Sequence, residues 1–154
     1  MTIKLETIID EIDSSFREWK VFVYMPTSEI VTVSLDDLRV AEDDDSLEGL
    51  SGWQLDARKQ AIHIWYHEEQ YIELPVLEDY EEYQMIEDFC TDVIQPLHIR
   101  QDFLKAINGK GAFRRFKNKL IKYDLDEEWY AYRKQQLQKI ALQWAEKNQI
   151  KLEL

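Results

Sequence analysis

The chain of 154 residues carries 31 Asp/Glu against 19 Lys/Arg, a net charge of −12, and is 45% hydrophobic and 12% aromatic. That length fits one domain, and so much apolar surface excludes a disordered chain despite the 32% of charged residues. No apolar run approaches the roughly 20 residues that span a bilayer, and the opening MTIKLETIIDEIDSS holds acids where a signal peptide is basic. The single Cys90 excludes an internal disulfide, so the expected location is the cytoplasm.

Leu5, Ile8, Ile9 and Ile12 recur at helical spacing and predict a helix over about Ile3 to Asp13, capped by Thr2. Two β-branched and aromatic runs, Lys20–Met25 and Glu29–Ser34, flank Pro26-Thr27-Ser28 and predict a hairpin. A lone hairpin is marginal in water, and Tyr71–Leu74, stopped by Pro75, is the best further strand. Ser34-Leu35-Asp36-Asp37 resembles a capping box that opens a short helix holding Leu38 and Ala41, with an acidic loop Glu42–Ser51 behind it. Over 54–67, Leu55, Ile62, Trp65 and Tyr66 suggest a helix, while Ile62, Ile64 and Tyr66 also alternate as in a strand.

The second half reads as helices. Asp79 and Glu82 pair as a capping box, Tyr80, Tyr83, Ile86, Phe89/Cys90 and Val93 mark a buried stripe, and Pro96 ends the element. Ile99, Phe103, Leu104 and Ile107 define the next helix, closed by Gly109. Phe113, Phe116, Leu120 and Tyr123 define another, and Tyr130, Leu137, Ile140 and Trp144 the last, which Asp126 opens. The expected fold is therefore α+β and mostly α, in one domain over 1–154: an N-terminal helix and small antiparallel sheet, then a helical half.

Charge divides the chain differently. Residues 1–97 hold 24 Asp/Glu against 6 Lys/Arg, whereas 98–154 hold 7 against 13. Phe103–Tyr123 has seven bases (Lys105, Lys110, Arg114, Arg115, Lys117, Lys119 and Lys122) and no acid. Either the acidic half neutralises this segment, or the segment faces an anionic partner. At its centre, Gly109 and Gly111 bracket Lys110, and Arg114 and Arg115 fall in the first turn of a helix. There they meet the positive end of the helix dipole, a misfit of typically 0.3–1 kcal/mol per charge that a bound anion would relieve. The structural alternative is that the glycines shape the turn and acids pair with the arginines. No Gly-Lys-Ser/Thr closes a P-loop.

The run Gly109-Lys-Gly-Ala-Phe-Arg-Arg-Phe-Lys117, with Trp129-Tyr130-x-Tyr132-Arg133 after it, resembles the signature of a bacterial uncharacterised protein family of the UPF 0158 type. Tyr71-Ile72-x-Leu74-Pro75, Phe89 and Leu104-x-x-Ile107 fit it at similar spacing, so the resemblance spans most of the chain. In the family pattern an Asp often follows the motif, where this chain has Asn118. The resemblance implies no activity, cofactor or partner.

Other candidates are weak. His63 and His67 stand four apart, as a zinc pair would, but Asp56, Lys59, Gln60 and Gln70 mark that face as solvated. Asp43–Glu48 resembles a calcium loop but has Glu48 where the turn needs Gly. Cys90 reads as a small core residue. Trp19, Trp53, Trp65, Trp129 and Trp144 read as core or half-buried anchors, and any found exposed would suggest an interface. No nucleophile elbow, dinucleotide fingerprint, metal site or cofactor motif is present in the sequence.

The leading expectation is thus a non-enzymatic interaction or regulatory domain. It would contact an unknown protein, through carboxylates or another anion, with Gly109, Lys110, Gly111, Arg114, Arg115 and Lys117. The alternatives are nucleic-acid binding through a helix-turn-helix-sized unit at 98–123, with Phe113 and Phe116 buried and unable to stack on bases, and an enzyme acting on a small anionic substrate at Lys110. A further variant has the acidic half mimicking a phosphate surface. No membrane contact is expected, and the sequence sets no oligomeric state.

Overall fold

A computed structural model describes residues 2–43 and 47–154. Residues 44–46 of the acidic run, and with them most of the calcium-loop comparison, lie outside the described residues. The described chain forms an α+β, mostly helical fold of seven helices and five short strands. It divides into two compact units, residues 1–76 with 140–154, and residues 77–139. The change of charge at 97/98 falls inside the second unit. That unit holds 12 Asp/Glu against 11 Lys/Arg, whereas the first holds 19 against 8.

In the first unit, β1 (Thr2–Lys4) leads directly into α1 (Leu5–Asp13), and β2 (Trp19–Tyr24) and β3 (Glu29–Ser34) form the expected hairpin. All six residue pairs from Trp19↔Ser34 to Tyr24↔Glu29 are in register without a bulge. The connection turns because Ser28 takes a left-handed φ of 63° and its N–H bonds the Tyr24 carbonyl at 2.8 Å. β4 (Tyr71–Glu73) adds antiparallel to the other edge of β2, giving the order β3-β2-β4. Ser34 does cap α2 (Leu35–Asp43), since its Oγ accepts the Asp37 N–H at 3.1 Å. The 54–67 ambiguity resolves to helix α3 (Gly52–Tyr66). Its Ala61 and Ile64 pack with Val33 and Ala41 into a small core that Phe22, Leu38 and Tyr71 border.

Thr2 caps nothing, because residues 2–4 are extended and pair in parallel with β5 (Lys151–Glu153), Ile3 opposite Leu152. Lys4 stands at the N-cap of α1 without a side-chain cap bond. Ile3 is buried in this seam at 6% exposure. A helical continuation would have fitted its spacing equally well.

The second unit contains α4 (Asp79–Asp92), α5 (Leu97–Ala106), α6 (Ala112–Lys122) and the first part of α7 (Asp126–Lys147). The capping box of α4 is Glu78 with Glu81, one residue before the expected pair. Its buried stripe is Met85, Ile86, Phe89 and Cys90, while Tyr80 is 73% exposed and Val93 half-exposed. Pro96 does not end α4, which stops at Asp92; it stands at the N-cap of α5. The core is aromatic. Phe116 lies edge-on to Phe89, Phe103 and Trp129, with centroids 6.2, 5.7 and 4.9 Å away. Phe89, Phe103 and Phe116 are each at most 1% exposed, and full burial of such a side chain contributes about 1.5–3 kcal/mol. On α7, Trp129 takes the buried place expected of Tyr130, which is 60% exposed. The end of α7 lies in the first unit, where Trp144 Nε1 donates to the Glu73 carbonyl at 2.8 Å.

Candidate functional site: the outer face of helix α6

The nine residues Gly109–Lys117 divide between the fold and the solvent. Gly109 and Gly111 hold left-handed φ values of 74° and 83° in the turn from α5 to α6. Gly111 is also crowded, since a Cβ there would stand 2.9 Å from Arg115 Nη1. Ala112 and Phe116 are buried. Arg115 is not an outward anchor. Its Nε, Nη1 and Nη2 donate to the carbonyls of Ala106, Lys110 and Asn108, each at 2.6 Å, so one planar guanidinium straps the open end of α5 and the turn. A helix C-terminus leaves carbonyls without partners, and a cation there meets the negative end of the dipole. The fold thus answers the expected misfit for Arg115 within the preceding helix, and not for Arg114.

Further along α6, Lys119 Nζ lies 3.0 Å and Lys122 Nζ 3.7 Å from Asp102 Oδ2, and the Tyr123 hydroxyl donates to that oxygen at 2.5 Å. The Tyr123 bond first, then the Lys119 bond and the lysine charges, hold the Asp102 carboxyl down to about 2. The same bond, with desolvation second, raises the Tyr123 phenol above its ordinary range. Lys119 and Lys122 thus share one acid of α5, immediately outside the acid-free window.

Lys110, Phe113, Arg114 and Lys117 remain. All are exposed, and among the described residues none of the three cations has an acid within ion-pair distance. Phe113, expected in the buried stripe, is 40% exposed, and Ile121 is 75% exposed. Positions 113, 117 and 121 are four apart and so follow one line of the helix, with Arg114 beside it. The outer face of α6 consequently alternates apolar and basic side chains. Its first turn has no acid and no side-chain cap, so the positive end of the dipole adds to the cations.

Three of the four residues of the second motif serve the fold, and Tyr130 faces outward. Trp129 is in the aromatic core, Tyr132 packs on Phe89 at 5.5 Å between centroids, and Arg133 forms a two-pronged pair with Glu82 at 2.8 and 3.2 Å. Leu74, Phe89 and Ile107 are buried as well.

The other candidates fall elsewhere. Cys90 is fully buried, and burial, with the Glu87 charge second, pushes its thiol up to about 12. His63 and His67 stack with ring centroids 4.4 Å apart, and His63 Nδ1 meets the Tyr71 hydroxyl at 2.7 Å. That half-buried contact departs from the plain solvated face expected of His63. No group of three His, Cys, Asp or Glu suited to a metal occurs among the described residues. Trp129 and Trp144 are buried as anchors, whereas Trp53 is 77%, Trp19 46% and Trp65 42% exposed. No helix among the described residues is long and apolar enough to cross a membrane.

Fold and surface together define a small, acidic α+β protein whose compact helical unit carries a basic, partly apolar helix face. The chain belongs to the Uncharacterised protein family (UPF0158), whose model matches residues 1–154. A curated relative, UPF0158 protein PA5073 of Pseudomonas aeruginosa, is 33% identical over 67 residues, 43% of this chain and 43% of that protein. The match thus spans less than half the length of that relative. No solved structure matches the chain significantly.

Proposed function

We propose that this protein is a non-enzymatic interaction domain of the cytoplasm, and that the outer face of α6 contacts the carboxylates of a partner protein. One observation carries the reading. Of the five bases on α6, Arg115, Lys119 and Lys122 are engaged within the second unit, while Arg114 and Lys117 have no acid beside them among the described residues and flank exposed Phe113 and Ile121. A face that buries aromatic and aliphatic groups beside arginine is the composition of a protein contact. Arginine adds the planar fork that grips a carboxylate at two points. Gly109, Gly111 and Arg115 support the face from behind by fixing where α6 begins, and Lys110 extends it into the turn.

The test is a photo-crosslinking residue at Ile121, in cells, with and without Arg114→Glu. A discrete crosslinked protein that disappears in the variant, while the domain keeps its melting temperature, supports the reading. Unchanged crosslinking in Arg114→Glu removes this face from consideration.

The exposed cations Lys110, Arg114 and Lys117 favour one runner-up, nucleic acid held by α5, the Gly turn and α6. Phosphate contacts make binding fall steeply with salt. Labelled duplex DNA and single-stranded RNA titrated at about 50 and about 200 mM salt therefore separate the two readings. Binding at the lower salt that is lost at the higher would replace the protein partner with nucleic acid.

A further inference from the structure

The first unit holds an open cup of about 380 Å³ between β2, β3, β4 and α3. Its floor is aromatic. The Tyr24 and Tyr71 rings lie 4.9 Å apart at a tilt of 35°, and His63 stands edge-on to both, with centroids 5.7 Å away. The register explains the assembly, because Tyr24 pairs directly with Tyr71 across β2 and β4, while Gln60 and His63 lie three apart on α3.

Hydrogen bonds fix the floor. Gln60 Nε2 donates to the Tyr71 oxygen at 3.0 Å, and His63 Nδ1 shares a hydrogen bond with the same oxygen at 2.7 Å. Partial burial raises the Tyr71 phenol above its ordinary value, against the lowering by the Gln60 bond, and the neighbouring Tyr24 adds to the rise. The Tyr71 hydroxyl is thus engaged by Gln60 and His63, and the Tyr24 and Tyr71 rings line the cup. At the rim stand the carboxylates of Glu29 and Asp56 against one ammonium, Lys59, in a unit whose acids outnumber its bases 19 to 8.

Aromatic faces attract a cation within about 6 Å of the ring centroid, and carboxylates at the rim add to that attraction. An anion would meet two acids and the unit's own field. We infer that the Tyr24–Tyr71–His63 cup binds an organic cation, an alkylammonium or guanidinium group, with Glu29 and Asp56 as its counter-charges. The group can be a free amine or the basic side chain of a peptide, since both present the same chemistry to the cup.

The test uses the full chain with its tyrosine and histidine rings isotopically labelled, titrated with n-butylammonium or methylguanidinium chloride and followed by NMR. Expected are saturable shifts of the Tyr24 and Tyr71 rings, with exposed Tyr80 unmoved, and no such shifts with neutral pentanol or with sodium chloride of equal ionic strength. Glu29→Gln with Asp56→Asn, both at exposed positions, weakens the cation by about threefold to tenfold. Tyr24→Leu, which removes an aromatic face, does the same with the carboxylates intact. An N-acetylated, amidated Gly-Lys-Gly peptide that binds at least tenfold more tightly than the free amine assigns the cation to a partner chain, and equal affinities assign it to a free amine. Pentanol binding as well as butylammonium, or an affinity unchanged in the double variant, overturns the inference.

Discussion

The two flanks of α6 carry the same residue types to opposite ends. On the inner flank Arg115 is tied to three backbone carbonyls, and Lys119 and Lys122 converge on Asp102. On the outer flank Arg114 and Lys117 stand beside Phe113 and Ile121 in solvent. A run of basic residues is therefore a poor measure of the charge a surface offers. What matters is which bases the fold has already engaged, and here the inner ones secure the turn that presents the outer ones.

The inner flank depends most on the Arg115 strap. Arg115→Ala removes three charge-assisted bonds and leaves carbonyls at the end of α5 to water, an expected loss of about 2–3 kcal/mol in urea unfolding. A change below half a kilocalorie would make Arg115 an idle surface cation. Gly111→Ala comes next, at about 1.5–2 kcal/mol, because it combines a left-handed φ with the close approach of Arg115. Gly109→Ala meets open space at a similar φ and should lose only about 1 kcal/mol. Equal losses at the two glycines would show that the strap does not press on the turn.

Asp102 gives a smaller, pH-dependent effect. Its carboxyl falls from 3.8 to about 2 on folding, so its contribution is fully present above the unfolded value and is lost as pH drops through the folded one. The urea midpoint of wild type should exceed that of Asp102→Asn at pH 6, and the gap should close between about pH 4 and pH 2. A gap independent of pH would mean that the lysine and tyrosine contacts do not hold the carboxylate. The smallest expected effect on stability is that of Arg114→Glu, within about 0.5 kcal/mol, although this variant should remove partner contact. Substantial unfolding would place Arg114 with the inner flank.

Much of this architecture was legible locally. The hairpin, the Ser34 cap and the helices around Phe103 and Phe116 follow from periodicity and turn residues that act over a few positions. The strand pair Thr2–Lys4 with Lys151–Glu153 was not, because each strand has three residues and its partner is nearly the whole chain away. Where aromatic residues adjoin, as at Trp129-Tyr130, periodicity admits two phases, and tertiary packing selected the tryptophan. The basic turn was visible as a candidate, but the division of its cations was not. Asp102 precedes Lys119 by 17 residues, and Arg115 takes backbone carbonyls as partners, which no side-chain pattern reveals. The Tyr24–Tyr71–His63 cup escaped for a related reason. Its members meet through strand register and one face of α3, not through spacing.

Cys90 gives the second unit a built-in clock. Its thiol is sealed among core side chains and, at a pKa pushed up to about 12, holds almost no thiolate at neutral pH. An alkylating reagent can reach it only while that unit is transiently open, so the labelling rate, divided by that of a free thiol, counts the open molecules directly. Loosening the strap at Arg115 should quicken that clock, and a charge reversed at Lys117 should leave it keeping the same time.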